Sequence, residues 1–256
     1  KAGKHVVTEK PFVVTTGEAD RLIALAKKHG VVVSTYHTRH WDGWIVRAVR
    51  EVVDKKTIGD VFKIDAHMGA YYMPQPWWRT SRSISGGVLY DWGVHLLEYC
   101  LQIIDADVTE VTGFATHGYW ESQVPKDFPW IGDMNDDEAS AVVRFGNGAH
   151  VNLSVSHLRA DPPADFLTIH GTKGSYGISN PQWTLRKPNR KGEIVAKTGK
   201  HPRSRGADIY YQNIADHLTG QADLIITPEW ARRPIHILDL AARSAKAGKS
   251  LKAKYG

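Results

Sequence analysis

The stretch GGVLYDWGVHLLEYCLQIID, residues 86–105, limits the fold more than any other. From Val88 to Ile104 every position is apolar, aromatic, Cys or Gly except Asp91, His95, Glu98 and Gln102. Steps of four, three and four residues place those four side chains on one face of a 3.6-residue helix. The rest of the circumference is fit only for burial, so the chain must wrap this helix on nearly all sides. A chain of 256 residues with 42% hydrophobic content can do that, as one large or two modest domains. Asp91 falls in the first helical turn, where free N–H groups and the helix dipole favour a carboxylate. His95 follows one turn later. A buried imidazole needs partners on both nitrogens, and Asp91 is placed to fix one of them. Two readings stay open from the helix alone: a satisfied core histidine behind a helix-start aspartate, or a functional pair on a stripe that faces a site.

Composition removes several classes. The only cysteine, Cys100, lies inside the apolar helix, which excludes an internal disulfide framework and argues for a reducing, cytoplasmic setting. No run of eighteen apolar residues is present, so no membrane span is expected. The net charge of +6 gathers in Arg186, Lys187, Arg190, Lys191, Lys197, Lys200, Arg203 and Arg205, opposed only by Glu193. That stretch is punctuated by Pro and Gly and carries no recognition motif, so it reads as a solvated hairpin and loop rather than a nucleic-acid surface. The thirteen histidines form no H-E-x-x-H pattern and no Cys-rich cluster, so no metal site is expected.

The order of elements separates two regions. KAGKHVVTEKPF opens on what reads as the last turn of a helix running into a strand at residues 5–8. A helix over 16–29 follows, with Thr16 as N-cap and Gly30 as stop, and then a strand over 31–36: a βαβ unit of a parallel sheet. A helix over 42–55 leads through IGDV into a long strand, 61–71. After the apolar helix the period changes to two: VTEVTGFATHG, DEASAVVRFGNGAHVNLSVSHL, ADFLTIHGTKGSYGIS and QWTLRKP read as successive strands, with FGNGA as a hairpin turn. Helices over 208–218 and 228–247 close the chain, the second with Pro in its first turn and Gly248 after its end. The fold class is α/β plus α+β: a short α/β piece followed by a larger domain with a mostly antiparallel open sheet and flanking helices. The apolar alternation of the strands predicts one broad sheet face in need of cover, and hence a homodimer or homotetramer joined through it.

Three stretches resemble one family. AGKHVVTEKP is similar to the A-G-K-H-V-x-x-E-K-P signature of the Gfo/Idh/MocA oxidoreductases, the glucose-fructose oxidoreductase and inositol dehydrogenase family. YHTRHWDGWIVRAVREVVDKKTIGDV resembles the segment joining its nucleotide domain to its substrate domain, and GGVLYDWGVHLLEY resembles its G-G-x-L-x-D-x-G-x-H-L helix. FLTIHGTKGSY and SAKAGKSL agree with it as well. The resemblance implies that residues 1–40 are the C-terminal part of a Rossmann NAD(P)-binding domain and 41–256 an α+β substrate-binding and oligomerisation domain. It further implies a hydride transfer between NAD or NADP and a sugar, polyol or related hydroxy compound. The family's G-x-G-x-x-G phosphate turn is not among these residues, and GTKGSYG at 171–177 sits between strands as a hairpin. At about 30 residues per βαβ unit, roughly 90 residues of the Rossmann half would precede Lys1. The expectation is an N-terminally shortened sequence, inactive and weak in cofactor binding as given; the alternative is a noncatalytic binding or scaffold protein that kept the substrate domain.

The resemblance also assigns roles. Lys10, fixed by the following Pro11, would hydrogen-bond the reacting oxygen; His95 would act as general base or acid; Asp91 would bind substrate and tune the site. The three form the expected catalytic set. Glu9, Lys10, Pro11 and Arg39 would meet the cofactor, and Trp78, Arg79, Asp91 and His95 the substrate. Thr38 and His40 depart from the Asn and Arg of the family pattern, which leaves the contacts of Arg39 and of His37 open. Trp78 and Arg79 read equally as a substrate-side pair or as a packed Trp with a surface Arg. Tyr71, Tyr72, Trp77, Trp120, Trp130 and Trp183 suit either sugar stacking or ordinary packing.

Overall fold

The computed structural model describes residues 2–253. Strands β1 (Val6–Thr8) and β2 (Val33–Thr35) pair in parallel across α1 (Thr16–His29), the expected βαβ unit. The start of α1 corrects one expectation. Its cap is Thr15, whose extended backbone and side chain form a reciprocal capping box with Glu18. The Thr16 hydroxyl instead donates to Asp239 Oδ2 (2.8 Å) and lies 3.1 Å from His236 Nδ1, tying the unit to the last long helix. Helix α2 (Gly43–Val49) continues through one wide turn to Asp54 before β3 (Val61–Gly69). That strand ends sooner than expected, because Tyr71 makes only an isolated bridge with Leu158.

A short helix, α3 (Arg82–Ser85), stops at Gly86 in the left-handed region (φ +91°) and the chain turns into α4 (Leu89–Ile103). Strands β4 (Val108–Thr116), β5 (Glu138–Phe145), β6 (His150–Ser156), β7 (Leu167–Gly171), β8 (Gly174–Ile178), β9 (Gln182–Pro188) and β10 (Ile194–Lys200) follow, with a short α5 (Tyr119–Gln123) after β4. Helices α6 (Gly206–Leu218) and α7 (Pro228–Ala247) and a two-residue β11 (Leu251–Lys252) end the described chain. The large sheet has nine strands in the order β10-β9-β8-β7-β3-β6-β5-β4-β11. Only β3 and β6 run parallel, so the sheet is mostly antiparallel.

Helices α4 and α7 cover one face. Val94, Leu97 and Leu101 of α4 join Ala141, Val143, Val151, Leu153 and Ile169 of the sheet in one buried core. Helix α7 lies so close to β4 that a Cβ on Gly113 would fall 2.0 Å from the Ala241 carbonyl oxygen, a contact only glycine permits. The opposite face overturns the expected apolar surface. Asp65 accepts from Asn152 (2.8 Å) and lies 2.9 Å from His170, His67 lies 2.8 Å from Ser154, and Ser156 donates to Glu138 (2.7 Å). The outward positions of the central strands are therefore a polar, cross-linked ladder. The basic segment is the hairpin β9–β10, with β10 exposed along nearly its whole length, as the sequence implied. The βαβ unit is held against α7 and its entry: Asp20 pairs with Arg232, and Ser34 donates to the Ile226 carbonyl (2.8 Å). Among the described residues no helix is long and apolar enough to cross a membrane.

Candidate active site

Lys10 follows the carboxyl end of β1, the place where open parallel sheets bind ligands. Its side chain turns inward and is only 8% exposed. The ammonium donates to Asp91 Oδ1 at 2.5 Å and to the Asp91 carbonyl oxygen at 2.8 Å, joining two residues 81 positions apart. Burial lowers the Lys10 pKa from its ordinary value; Asp91 opposes the shift and Arg79 adds to it. Glu9 stays local, accepting the backbone N–H of Lys10 at 3.1 Å.

Asp91 stands in the first turn of α4 as its sequence position predicts, but it does not hold His95. Its carboxylate serves Lys10 and, at 3.5 Å, Arg79 Nε. A cation and a second cation compete more strongly for a carboxylate than a neutral imidazole does. Arg79 lies between Trp77 and Trp78, its guanidinium carbon 4.9 and 5.0 Å from the two ring centres. Trp77, Arg79 and Asp91 line a cleft together with Tyr72, Trp92 and His157; Trp78, Lys10 and His95 are not part of that lining. Tyr72 and His157 pack ring to ring at 4.6 Å.

His95 is 6% exposed and its Nδ1 is enclosed with no hydrogen-bond partner among the described residues. Trp92 lies 5.5 Å and His37 6.3 Å from it, ring centre to ring centre. Burial pushes its pKa well below the usual histidine value, and Lys10, His37, Arg39 and Arg79 push it the same way. The ring is therefore held neutral at neutral pH. Arg39 packs its guanidinium 4.7 Å from the centre of Trp92 and pairs with Asp42 at 3.2 Å, while the Tyr99 hydroxyl donates to the same Asp42 oxygen at 2.9 Å.

The polar stripe of α4 does not face the cleft along its full length, which corrects the expectation built on its geometry. Glu98 is 1% exposed. Its carboxylate lies 2.5 Å from His40 Nδ1 and accepts from Trp230 Nε1 (3.2 Å) and Gln102 Nε2 (2.9 Å). The stripe thus borders a cleft at Asp91 and is a sealed network at Glu98. The sequence left His37, His40, Tyr72 and Trp77 open or unassigned, and it missed Trp92, His157 and Trp230. The only signal for the last three was an aromatic or imidazole ring near a charged residue, which is too common to single out. Trp183 stacks on Tyr176 within the sheet (6.0 Å) and Trp120 packs on Tyr71 (5.3 Å), ordinary packing for both.

The description "GFO/IDH/MocA C-terminal domain" fits residues 46–177, and "Oxidoreductase family, NAD-binding Rossmann fold" fits residues 1–37. The chain belongs to the Gfo/Idh/MocA oxidoreductase family. Lys10 falls in the Rossmann match and Asp91 and His95 in the C-terminal match, so the Lys10–Asp91 pair joins the family's two modules. Among Gfo/Idh/MocA relatives, the scyllo-inositol 2-dehydrogenase (NADP(+)) IolW of Bacillus subtilis (strain 168) is 25% identical over 275 residues, covering 98% of this chain and 73% of IolW. The trans-1,2-dihydrobenzene-1,2-diol dehydrogenase of Sus scrofa is 27% identical over 221 residues, 83% of this chain and 58% of that enzyme. The fold matches the putative oxidoreductase yvaA from Bacillus subtilis with a TM-score of 0.81 at 22% identity, over 99% of this chain and 75% of that one. The chain is thus a member of an NAD(P)-binding oxidoreductase family that includes dehydrogenases of polyols and diols.

Proposed function

We propose that this protein is an NAD(P)-dependent dehydrogenase or reductase acting on a CH–OH group of a ring polyol, sugar or related diol, with Lys10, Asp91 and His95 as its acid–base residues. One observation carries the reading: Lys10, from the nucleotide module, is buried on Asp91 of the substrate module, and its charge reaches His95. The substrate class draws support from the inositol and diol dehydrogenases among the relatives and from the aromatic walls of Tyr72, Trp77 and Trp92.

The residues present fit the nicotinamide end of the cofactor. Lys10 lies at the carboxyl end of a parallel strand, the place where open parallel sheets bind ligands. Glu9, Lys10, Pro11 and Arg39 would hold that end. Nicotinamide supplies two-electron hydride chemistry. The chain does the rest. Lys10 donates a hydrogen bond to the substrate oxygen and favours its anionic form. His95, neutral, would take the hydroxyl proton during oxidation and return it to the oxygen in the reverse direction. Asp91 orients the Lys10 ammonium and holds Arg79, while the aromatic walls exclude water and fix the ring face.

The test is to incubate full-length protein with NAD+ or NADP+ and scyllo-inositol, myo-inositol or cyclohexane-1,2-diol, and to follow reduced nicotinamide. Turnover of a ring polyol that is lost in Lys10→Ala is the expected result. Cofactor binding without oxidation of any panel member, and without reduction of the matching ketones, would overturn the reading in favour of a noncatalytic binding protein.

A further inference from the structure

His37 is fully buried, and neither of its ring nitrogens has a hydrogen-bond partner among the described residues. The neighbouring His95 has an enclosed Nδ1 in the same condition. Buried polar nitrogens are rarely left unpaired, because each then loses the hydrogen bonds it made to water. A partner shared by the two neighbouring rings would pair His95 Nδ1 and one nitrogen of His37. The ring centres lie 6.3 Å apart with planes at 80°. With each nitrogen about 1 Å from its ring centre, no two can come nearer than about 4 Å, beyond the roughly 3 Å of a direct hydrogen bond. A single water bonded to both spans such a gap.

We propose that His37 is a positioning residue for His95, holding the His95 Nδ1–H through one shared buried water and so leaving Nε2 as the lone-pair nitrogen. The proton order follows from the role given to His95: a base that accepts at Nε2 carries its own proton on Nδ1. The water accepts from His95 Nδ1–H and donates to a lone pair of His37. That requires a neutral His37. Burial pushes its pKa down to about 4, and Lys10 and His40 disfavour its charge while Glu98 favours it. The charged groups acting on His95 itself, Lys10, Arg39 and Arg79, likewise disfavour its protonation. The two rings and the water thus form a neutral chain whose one function is to choose the tautomer of His95.

The proposal rests on His95 acting as the base, but its test needs no turnover. Full-length protein labelled with 15N-histidine is compared by imidazole-detected NMR as wild type, His37→Leu and His37→Gln. In wild type the His95 proton is expected on Nδ1. In His37→Leu that preference is lost and the Nε2–H form dominates, while His37→Gln, which can still accept from the water, retains it. A folded His37→Leu with the wild-type His95 tautomer, or an Nε2–H tautomer in wild type, overturns the proposal. If His37→Leu does not fold, a high-resolution crystal structure of wild type decides: a water bonded to both rings supports it, and a dry contact between them overturns it. Absent polyol activity with the Nδ1–H tautomer intact would count against the proposed function alone.

Discussion

The two ends of the α4 polar stripe are built from the same kinds of residue at the same helical spacing, yet they differ in how completely their polar atoms are paired. At the C-terminal end, Glu98 is enclosed and paired with His40, Trp230 and Gln102. At the N-terminal end, Asp91 is shared between Lys10 and Arg79 beside a cleft, and the His95 Nδ1 behind it has no partner among the described residues. A sealed network stabilises, whereas a carboxylate shared between two cations at the edge of a cleft is open to a ligand. Burial alone does not separate them, since both His95 and Glu98 are nearly inaccessible.

The largest expected effect falls on the open end. His95→Asn in the full-length enzyme should lower turnover about a hundredfold to ten-thousandfold, the range of general acid–base assistance, and leave the unfolding midpoint almost unchanged. Lys10→Ala should also lower turnover, and the double variant should lose less than the product of the single losses, because both side chains act on one oxygen. Normal turnover in His95→Asn, measured on a substrate the wild type oxidises, would return His95 to the core-histidine reading.

At the sealed end the effect should move from rate to stability. Glu98→Ala leaves the His40, Trp230 and Gln102 donors without an acceptor, which costs about 3 kcal/mol or more of folding stability by the usual cost of breaking a buried charged network. Denaturant unfolding measures it. A Glu98→Ala protein as stable as wild type, or a His95→Asn protein equally destabilised, would erase the distinction between the two ends.

Acid sharpens the same contrast. The His37 pKa is lowered from 6.5 to about 4 in the folded protein, so between those values the unfolded chain binds the extra proton. The stabilisation by neutral His37 is therefore whole above about pH 6.5 and lost as pH falls toward 4, a loss on the order of 3 kcal/mol. His95, shifted the same way, adds to it. The unfolding midpoint of wild type should fall more steeply over this window than that of His37→Leu; parallel slopes would show that His37 is not held neutral. The smallest effect serves as a control remote from both ends: Thr15→Ala removes the α1 cap and should cost about 1 kcal/mol with no change in turnover per folded molecule.

Local signals in the sequence were strong where one residue type meets one geometric need. Pro228, Gly248 and the apolar repeat between them marked α7, and FGNGA marked the turn between β5 and β6. The cap of α1 was misplaced by one residue because Thr15 and Thr16 present the same side chain to different partners, and only the packing of Asp239 distinguishes them. The Asp91–His95 spacing was legible, since it depends on helical period alone. Which partner each would take was not. Lys10 reaches Asp91 from 81 positions away, and His40 reaches Glu98 from 58, contacts set by how the βαβ unit folds onto α4 rather than by any nearby pattern. The polar outer face of the sheet was hidden for a related reason: alternation tells which residues share a face, but not that Asp65 pairs with Asn152 and His170, and His67 with Ser154, across strands.

The most direct test is a crystal structure of the full-length protein with a bound nicotinamide cofactor and a ring polyol that it oxidises or the ketone it forms. The reacting oxygen should lie within about 3 Å of both the Lys10 ammonium and His95 Nε2, with the carbinol carbon facing the nicotinamide. An oxygen bonded to neither group, or a cleft in which Lys10 and His95 stand more than about 10 Å apart with ligand bound, would contradict a shared acid–base site.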